Sequence, residues 1–173
     1  MTHAAVTIRP FEAADAPQVR ELFIVVNRLL APPDWRDAFE AYITRSLLEE
    51  IDRIAAYYAD KDGGFWVALR KGRIVGMFGL ERAGPGALEL RRMYVDPDAR
   101  RGGIARTMLQ YAEDECRRRN VPKLELSTSE LQPAALELYR RAGYRLQQEV
   151  IAEQASNKTL GGGIRRYHFD KTL

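Results

Sequence analysis

A single cysteine, Cys116, stands among 173 residues, which excludes an internal disulfide and a cysteine-rich zinc site. Histidine is nearly as scarce. His3 lies in a terminal segment, and His168 alternates with Tyr167 and Phe169 in a strand pattern. No His/Asp/Glu cluster has the spacing of metal ligands, so no metal is expected. No stretch is apolar for long enough to cross a bilayer, and the N-terminus lacks the apolar run of a signal peptide. The expectation is a soluble, cytoplasmic protein. Charge of one sign is not in large excess either. The net charge of +3 is too small by itself to argue for nucleic acid. Internal repeats and linkers are missing, which leaves one domain over residues 1–173. The remainder is ordinary globular composition, 46% hydrophobic and 29% charged, in a chain long enough for a substantial core.

Taken in order, Val6–Arg9 reads as a short strand closed by Pro10. Asp15, ahead of Ala16-Pro17, is the expected cap of a helix carrying Val19, Leu22, Phe23, Val26, Leu29 and Leu30 at helical spacing. Pro32-Pro33 stop it, and Asp34 is the expected cap of the next. Phe39, Ile43, Leu47, Ile51, Ile54 and Tyr58 keep the helical period to about Lys61, which predicts one long second helix. Phe65–Arg70 and Ile74–Arg82 are strands joined by the hairpin signal Lys71-Gly72. After the turn Ala83–Gly86 come a strand (Glu89–Val95), a glycine turn, and a helix whose Ile104, Met108, Ala112 and Cys116 share a face. Cys116 is therefore expected to be a buried, inert thiol. Glu113–Arg117, Asp114–Arg118 and Glu115–Arg119 are acid-before-base pairs, each worth about 0.3 kcal/mol, so this basic helix end is a solvated surface. Lys123–Thr128 is a strand, Pro133 opens a short helix ended by Gly143, and strands over 144–152 and 164–171 flank a loop at 153–163.

The chain is organised around Glu89–Arg119. Pro97 fixes the turn Asp96-Pro97-Asp98, and Arg100, Arg101, Gly102 and Gly103 then lead into the helix. A glycine turn at a helix N-terminus is an anion site: the first helical N–H groups lack internal partners, and the helix dipole adds positive charge. Glycine lets a ligand come close, and arginine adds forked donors for phosphate oxygens. A P-loop needs Gly-Lys-Ser/Thr before the helix, and none is present. A dinucleotide fingerprint needs three spaced glycines, whereas here Ala105 takes the last small position.

What the stretch does resemble is the acetyl-CoA site of the GCN5-related N-acetyltransferases (GNAT), with its Arg/Gln-x-x-Gly-x-Gly/Ala motif. Here it reads Arg100-Arg101-Gly102-Gly103-Ile104-Ala105, after a strand ending Met93-Tyr94-Val95. The resemblance extends over nearly the whole chain in element order. It implies an α/β (α+β) fold with a mixed sheet of about seven strands and helices on both faces. It also implies that the central parallel strands splay at a bulge, where acetyl-CoA fills the gap. Met93, Tyr94 and Val95 would then meet the pantetheine arm, and backbone groups from Arg101 to Arg106 the pyrophosphate. Tyr139 sits in Ala135-Leu136-Glu137-Leu138-Tyr139-Arg140-Arg141-Ala142-Gly143-Tyr144, similar to the family segment whose tyrosine faces the CoA sulfur. A hydroxyl with an ordinary pKa near 10 holds a proton that it can pass to a thiolate. The alternative is a tyrosine that packs its ring on the sheet. Gln132 stands where the family often has Asn.

Acetyl transfer to an amine also needs a base. Glu89 matches a glutamate that some members use, often through water, and a partly closed cleft would raise its pKa. The alternatives are a surface glutamate paired with Arg91, or a water held by Ser127 and Thr128. On the acceptor side Ser156, Asn157 and Lys158, with Arg165 and Arg166 beyond, offer donors to an anion. Ser127, Asn157 and Lys158 are the substrate candidates, and the expected acceptor is a small primary amine bearing a carboxylate or phosphate. Transfer would be direct, by a monomer or homodimer without nucleic-acid or membrane partners. The other readings are a protein or peptide amine acetyltransferase and a non-catalytic acyl-CoA-binding module.

Overall fold

The computed structural model describes residues 5–173, so His3 lies outside the described residues. The strands are β1 (Thr7–Pro10), β2 (Gly64–Arg70), β3 (Arg73–Arg82), β4 (Ala87–Val95), β5 (Lys123–Ser129), β6 (Arg145–Ala152) and β7 (Ile164–Thr172). The helices are α1 (Ala16–Leu30), α2 (Arg36–Glu49), α3 (Ile54–Asp60), α4 (Ile104–Arg118) and α5 (Pro133–Arg141). The seven strands form one mixed sheet in the order β1-β2-β3-β4-β5-β7-β6, and β4–β5 is its parallel pair.

Successive strand residues face opposite sides, so each buried strand feeds two cores. On one face Val67, Ile74 and Met77 pack under α1–α3 with Phe23, Val26, Ile54 and Tyr58. On the other, Phe78, Leu80, Leu88, Leu124 and Leu126 pack under α4 and α5 with Met108, Ala112, Cys116 and Tyr139. The core is closely built. A Cβ on Gly79 would lie 2.6 Å from the Tyr58 ring, so only glycine lets α3 sit this close to β3.

Several expectations are corrected. The second helix is not continuous. It breaks at Glu50 (φ −140°), passes through a 3-10 turn at Ile51–Arg53 and restarts as α3. Asp15 stands at the N-cap position of α1 but does not cap it with its side chain, and Asp34 does not cap α2. Asp15 instead takes two hydrogen bonds from Arg9, at 2.7 and 2.9 Å, and one from the Glu12 N–H. On α4, Asp114 pairs with Arg117 rather than Arg118, which joins Glu115. Among the described residues no helix is long and apolar enough to cross a membrane.

The parallel pair is short. β4 and β5 are in register only over Ala87–Glu89 and Lys123–Glu125. Further along, the β3–β4 register shifts between Met77 and Gly79, opposite Arg92, whose φ is +55°. A left-handed residue in mid-strand is a β-bulge device that turns the strand aside. Beyond it the β5-facing backbone of β4 has no ladder partner, and the two strands enclose a cavity.

Candidate active site

The cavity has a volume of about 560 Å³, in the range of small-molecule and cofactor sites. Its floor is the end of β4, including Met93, Tyr94 and Val95; its far wall comes from β5 and α5. One end is the turn after β4. There Arg101 and Gly103 both have positive φ, at 70° and 73°, which bends the chain so that its amides converge. Gly103 is the residue before α4, and a Cβ there would meet nothing within 4 Å. The first α4 hydrogen bond is Thr107 N–H to the Gly103 carbonyl, at 3.0 Å. The N–H groups of residues 100–106 meet no backbone acceptor among the described residues. Arg100, Arg101, Ile104, Ala105 and Arg106 line this end with Gly103, whereas Gly102 stands behind the wall. A row of free amides, a helix N-terminus and three guanidinium groups fit a pyrophosphate.

The middle of the cavity carries Tyr139 and Gln132. The Tyr139 ring packs edge-on against Tyr144 and tilted against Phe169, with centroids 6.0 and 6.3 Å away. Its hydroxyl makes no protein hydrogen bond among the described residues, and burial, then the nearby Tyr94, raise its pKa. The proton is thus held at neutral pH. Gln132 accepts a 2.9 Å hydrogen bond from Thr128 at Oε1, which fixes the amide and leaves Nε2 as a donor. Thr128 is thereby engaged, as is Ser127, whose Oγ accepts from Arg166 at 2.8 Å.

The opposite end is charged. Glu81 on β3 and Glu89 on β4 are ladder partners, so two carboxylates stand side by side. Lys158, from the β6–β7 loop, bridges them at 2.8 and 3.0 Å. Burial disfavours its ammonium, but the hydrogen bond to Glu81 and the charge of Glu89 outweigh burial and raise its pKa. Glu89 is therefore paired with Lys158, and not with Arg91 as the strand spacing suggested. Arg91 and Arg92 are themselves buried, not part of a surface basic patch. Glu50, with no exposed surface, forms an ion pair with Arg91 at 3.0 Å and accepts from Arg92 at 2.9 and 3.1 Å and from the Tyr58 hydroxyl at 2.8 Å. Both arginines also donate to the Asn157 carbonyl, at 3.2 and 2.6 Å. The Asn157 carbonyl thus ties the β6–β7 loop to β4, and Asn157 is not among the residues that line the cavity. Charges placed this deep are stable only when fully paired, as these are.

The position of Glu50 was readable and not recognised. It lies three residues after Leu47 and four before Ile54, on the apolar stripe of the predicted helix. Tyr42 of α2 was also missed. It lines the cavity and accepts from Arg92 at 2.7 Å. Cys116 has no exposed surface, and burial pushes its thiol up to about 11.

Comparison with known proteins agrees with this geometry. Residues 30–144 match the family model described as the acetyltransferase (GNAT) family. The chain is 32% identical over 112 residues to the N-acetylaspartate synthetase of Danio rerio, covering 64% of this chain and 40% of that one. It is 29% identical over 137 residues to N-acetyltransferase 8 of Homo sapiens, covering 72% and 59%. The chain thus spans about half the length of these curated relatives. In structure it is similar to a PaiA N-acetyltransferase from Thermoplasma acidophilum in complex with coenzyme A, with a TM-score of 0.74 and 17% identity over 98% of this chain and 99% of that one. An acetyltransferase from Salmonella typhimurium solved with acetyl-CoA gives 0.72 and 18%, over 98% and 95%. The chain belongs to the GNAT acetyltransferase family.

Proposed function

We propose that the protein transfers an acetyl group from acetyl-CoA directly to a primary amine of a small molecule. The observation that carries this is the single cavity that joins an anion-binding turn, a protonated tyrosine and a carboxylate. The turn at residues 100–106 holds the pyrophosphate, and the open edge of β4 at Met93–Val95 pairs with the pantetheine arm. Acetyl-CoA supplies an activated thioester. Glu89 takes a proton from the acceptor ammonium, directly or through water, so that its nitrogen can attack the carbonyl. As the C–N bond forms and the C–S bond breaks, Tyr139 gives its proton to the departing sulfur. The burial of Cys116 and its raised pKa support direct transfer, because this thiol is no acyl relay.

The charged acceptor end, with Lys158, Arg166 and Glu89 in its lining, suits a small charged amine. One curated relative supports this reading: the Danio rerio protein is named for a small N-acetylated amino acid. The experiment is a panel of small amines and lysine-bearing peptides incubated with acetyl-CoA while free thiol release is followed. Release with a small amine, and none with the peptides, is expected. Release with the peptides alone would overturn the acceptor class.

A further inference from the structure

The acceptor end of the cavity has four cations in or against its wall: Arg91, Arg92, Lys158 and Arg166. Three of them are neutralised. Arg91 and Arg92 share Glu50, Arg91 also meets Glu81, and Lys158 bridges Glu81 and Glu89. Three carboxylates thus answer three cations, and one positive charge is left over. That charge is Arg166, on β7. Its Nη2 donates to the Ser127 hydroxyl, and no carboxylate lies within ion-pair distance among the described residues. Burial, the largest influence on it, pulls the Arg166 pKa below the ordinary arginine value. The group is nevertheless always charged.

A guanidinium kept half out of water without a counterion is unfavourable by itself. Its hydrogen bond to Ser127 fixes one arm of the fork and leaves other donors toward the cavity. A carboxylate is a ligand that fits: it is planar and takes two parallel N–H bonds from the rest of the fork. The placement also fits an amine. Ser127 lies two residues beyond Glu125, the parallel partner of Glu89, so it is about 7 Å further along the same face of β5. An ammonium at Glu89 and a carboxylate at Arg166 therefore fall within one small molecule.

We propose that Arg166 is the specificity-determining residue for the acceptor, binding the carboxylate of an amino-acid-like amine whose nitrogen faces Glu89. This rests on the transfer reaction proposed above, and it narrows the acceptor to carboxylate-bearing amines.

The test compares the natural amino acids and short ω-amino carboxylates, each beside its carboxamide, with wild type and Arg166→Gln. Wild type should favour an acid over its amide by tenfold or more in kcat/KM. Arg166→Gln should abolish that preference, mainly by raising KM for the acid while kcat changes only a few-fold. Arg166→Lys, which keeps the charge and loses the fork, should recover part of it. Acetyl-CoA affinity by calorimetry serves as the check that the variants are folded. Equal use of acid and amide by wild type, or a preference that survives Arg166→Gln, overturns the proposal. If wild type releases no thiol with any amine, the transfer reading fails on its own. Calorimetric titration of the same pairs in the presence of CoA then decides the role of Arg166. Acid binding lost in Arg166→Gln supports it, and no discrimination or no acid binding overturns it.

Discussion

The ammonium of Lys158 stands 3.0 Å from the carboxylate of Glu89. An amine from the β6–β7 loop thus occupies the ground beside the proposed base. It also offsets the repulsion of Glu81 and Glu89, which are opposite each other on adjacent strands, where like charges are unfavourable. Because these pairs raise the Lys158 pKa above its ordinary value of 10.5, their stabilisation is fully present below that pH. It is lost as pH rises through the raised value. Lys158→Met should therefore lower unfolding stability by about 1 kcal/mol at pH 7, the scale of a half-exposed ion pair. The gap to wild type should close only above about pH 10.5, as read by urea unfolding across pH.

Glu89 can be tested without touching its partner's charge. Glu89→Gln keeps shape and hydrogen bonding and removes basicity. It should lower kcat/KM and erase the acidic limb of the pH–rate profile. A variant that keeps both the rate and the limb would return Glu89 to an electrostatic role. A water held by Ser127 and Thr128 would then be the candidate: Ser127 accepts from Arg166 and keeps its O–H to donate, and Thr128 donates to Gln132 and keeps its lone pairs.

Tyr139 combines a packed ring with a free hydroxyl, so removing only the oxygen separates the two. Tyr139→Phe should preserve stability and KM and lower kcat by roughly 10²–10⁴, the span of general acid–base groups. Steady-state kinetics with a thiol readout measures this, and an unchanged kcat would leave the ring as packing alone.

Glu50 is the keystone of the buried ion network. Glu50→Ala leaves Arg91 and Arg92 facing each other without a carboxylate between them. It should cost about 3–5 kcal/mol of stability, the range for one partner removed from a buried pair. It should also loosen the β6–β7 loop, seen as faster amide exchange around Asn157, whose carbonyl both arginines hold. A loss under 1 kcal/mol would contradict the assigned role.

Much of this was legible locally. Strand alternation, the hairpin at Lys71-Gly72 and the stripe Ile104–Met108–Ala112–Cys116 each follow from neighbours in the chain, and the structure keeps them. The anion-binding turn was legible because glycines and arginines precede a helical pattern. The break at Glu50 was not. No glycine or proline marks it, and the apolar period runs through from Ile43 to Tyr58. What coincides with it is tertiary: at the break Glu50 meets two arginines on β4, far away in sequence. For the same reason pairings such as Lys158 with Glu81 and Glu89 escape local reasoning. Strand spacing offered Arg91 to Glu89; in regular register Arg91 meets Glu81 on the neighbouring strand instead, while Arg92, at the bulge, pairs with Glu50.

The most direct measurement of the central claim is calorimetric titration of acetyl-CoA into wild type, Gly103→Ala and Gly103→Glu. The alanine carries the same left-handed strain, about 1–3 kcal/mol, and its Cβ meets open space. The glutamate adds a carboxylate where the pyrophosphate belongs. The account predicts one acetyl-CoA per wild-type chain, a modest weakening in Gly103→Ala, and at least a hundredfold loss in a folded Gly103→Glu. Undiminished affinity in Gly103→Glu, or no binding by wild type, would contradict it.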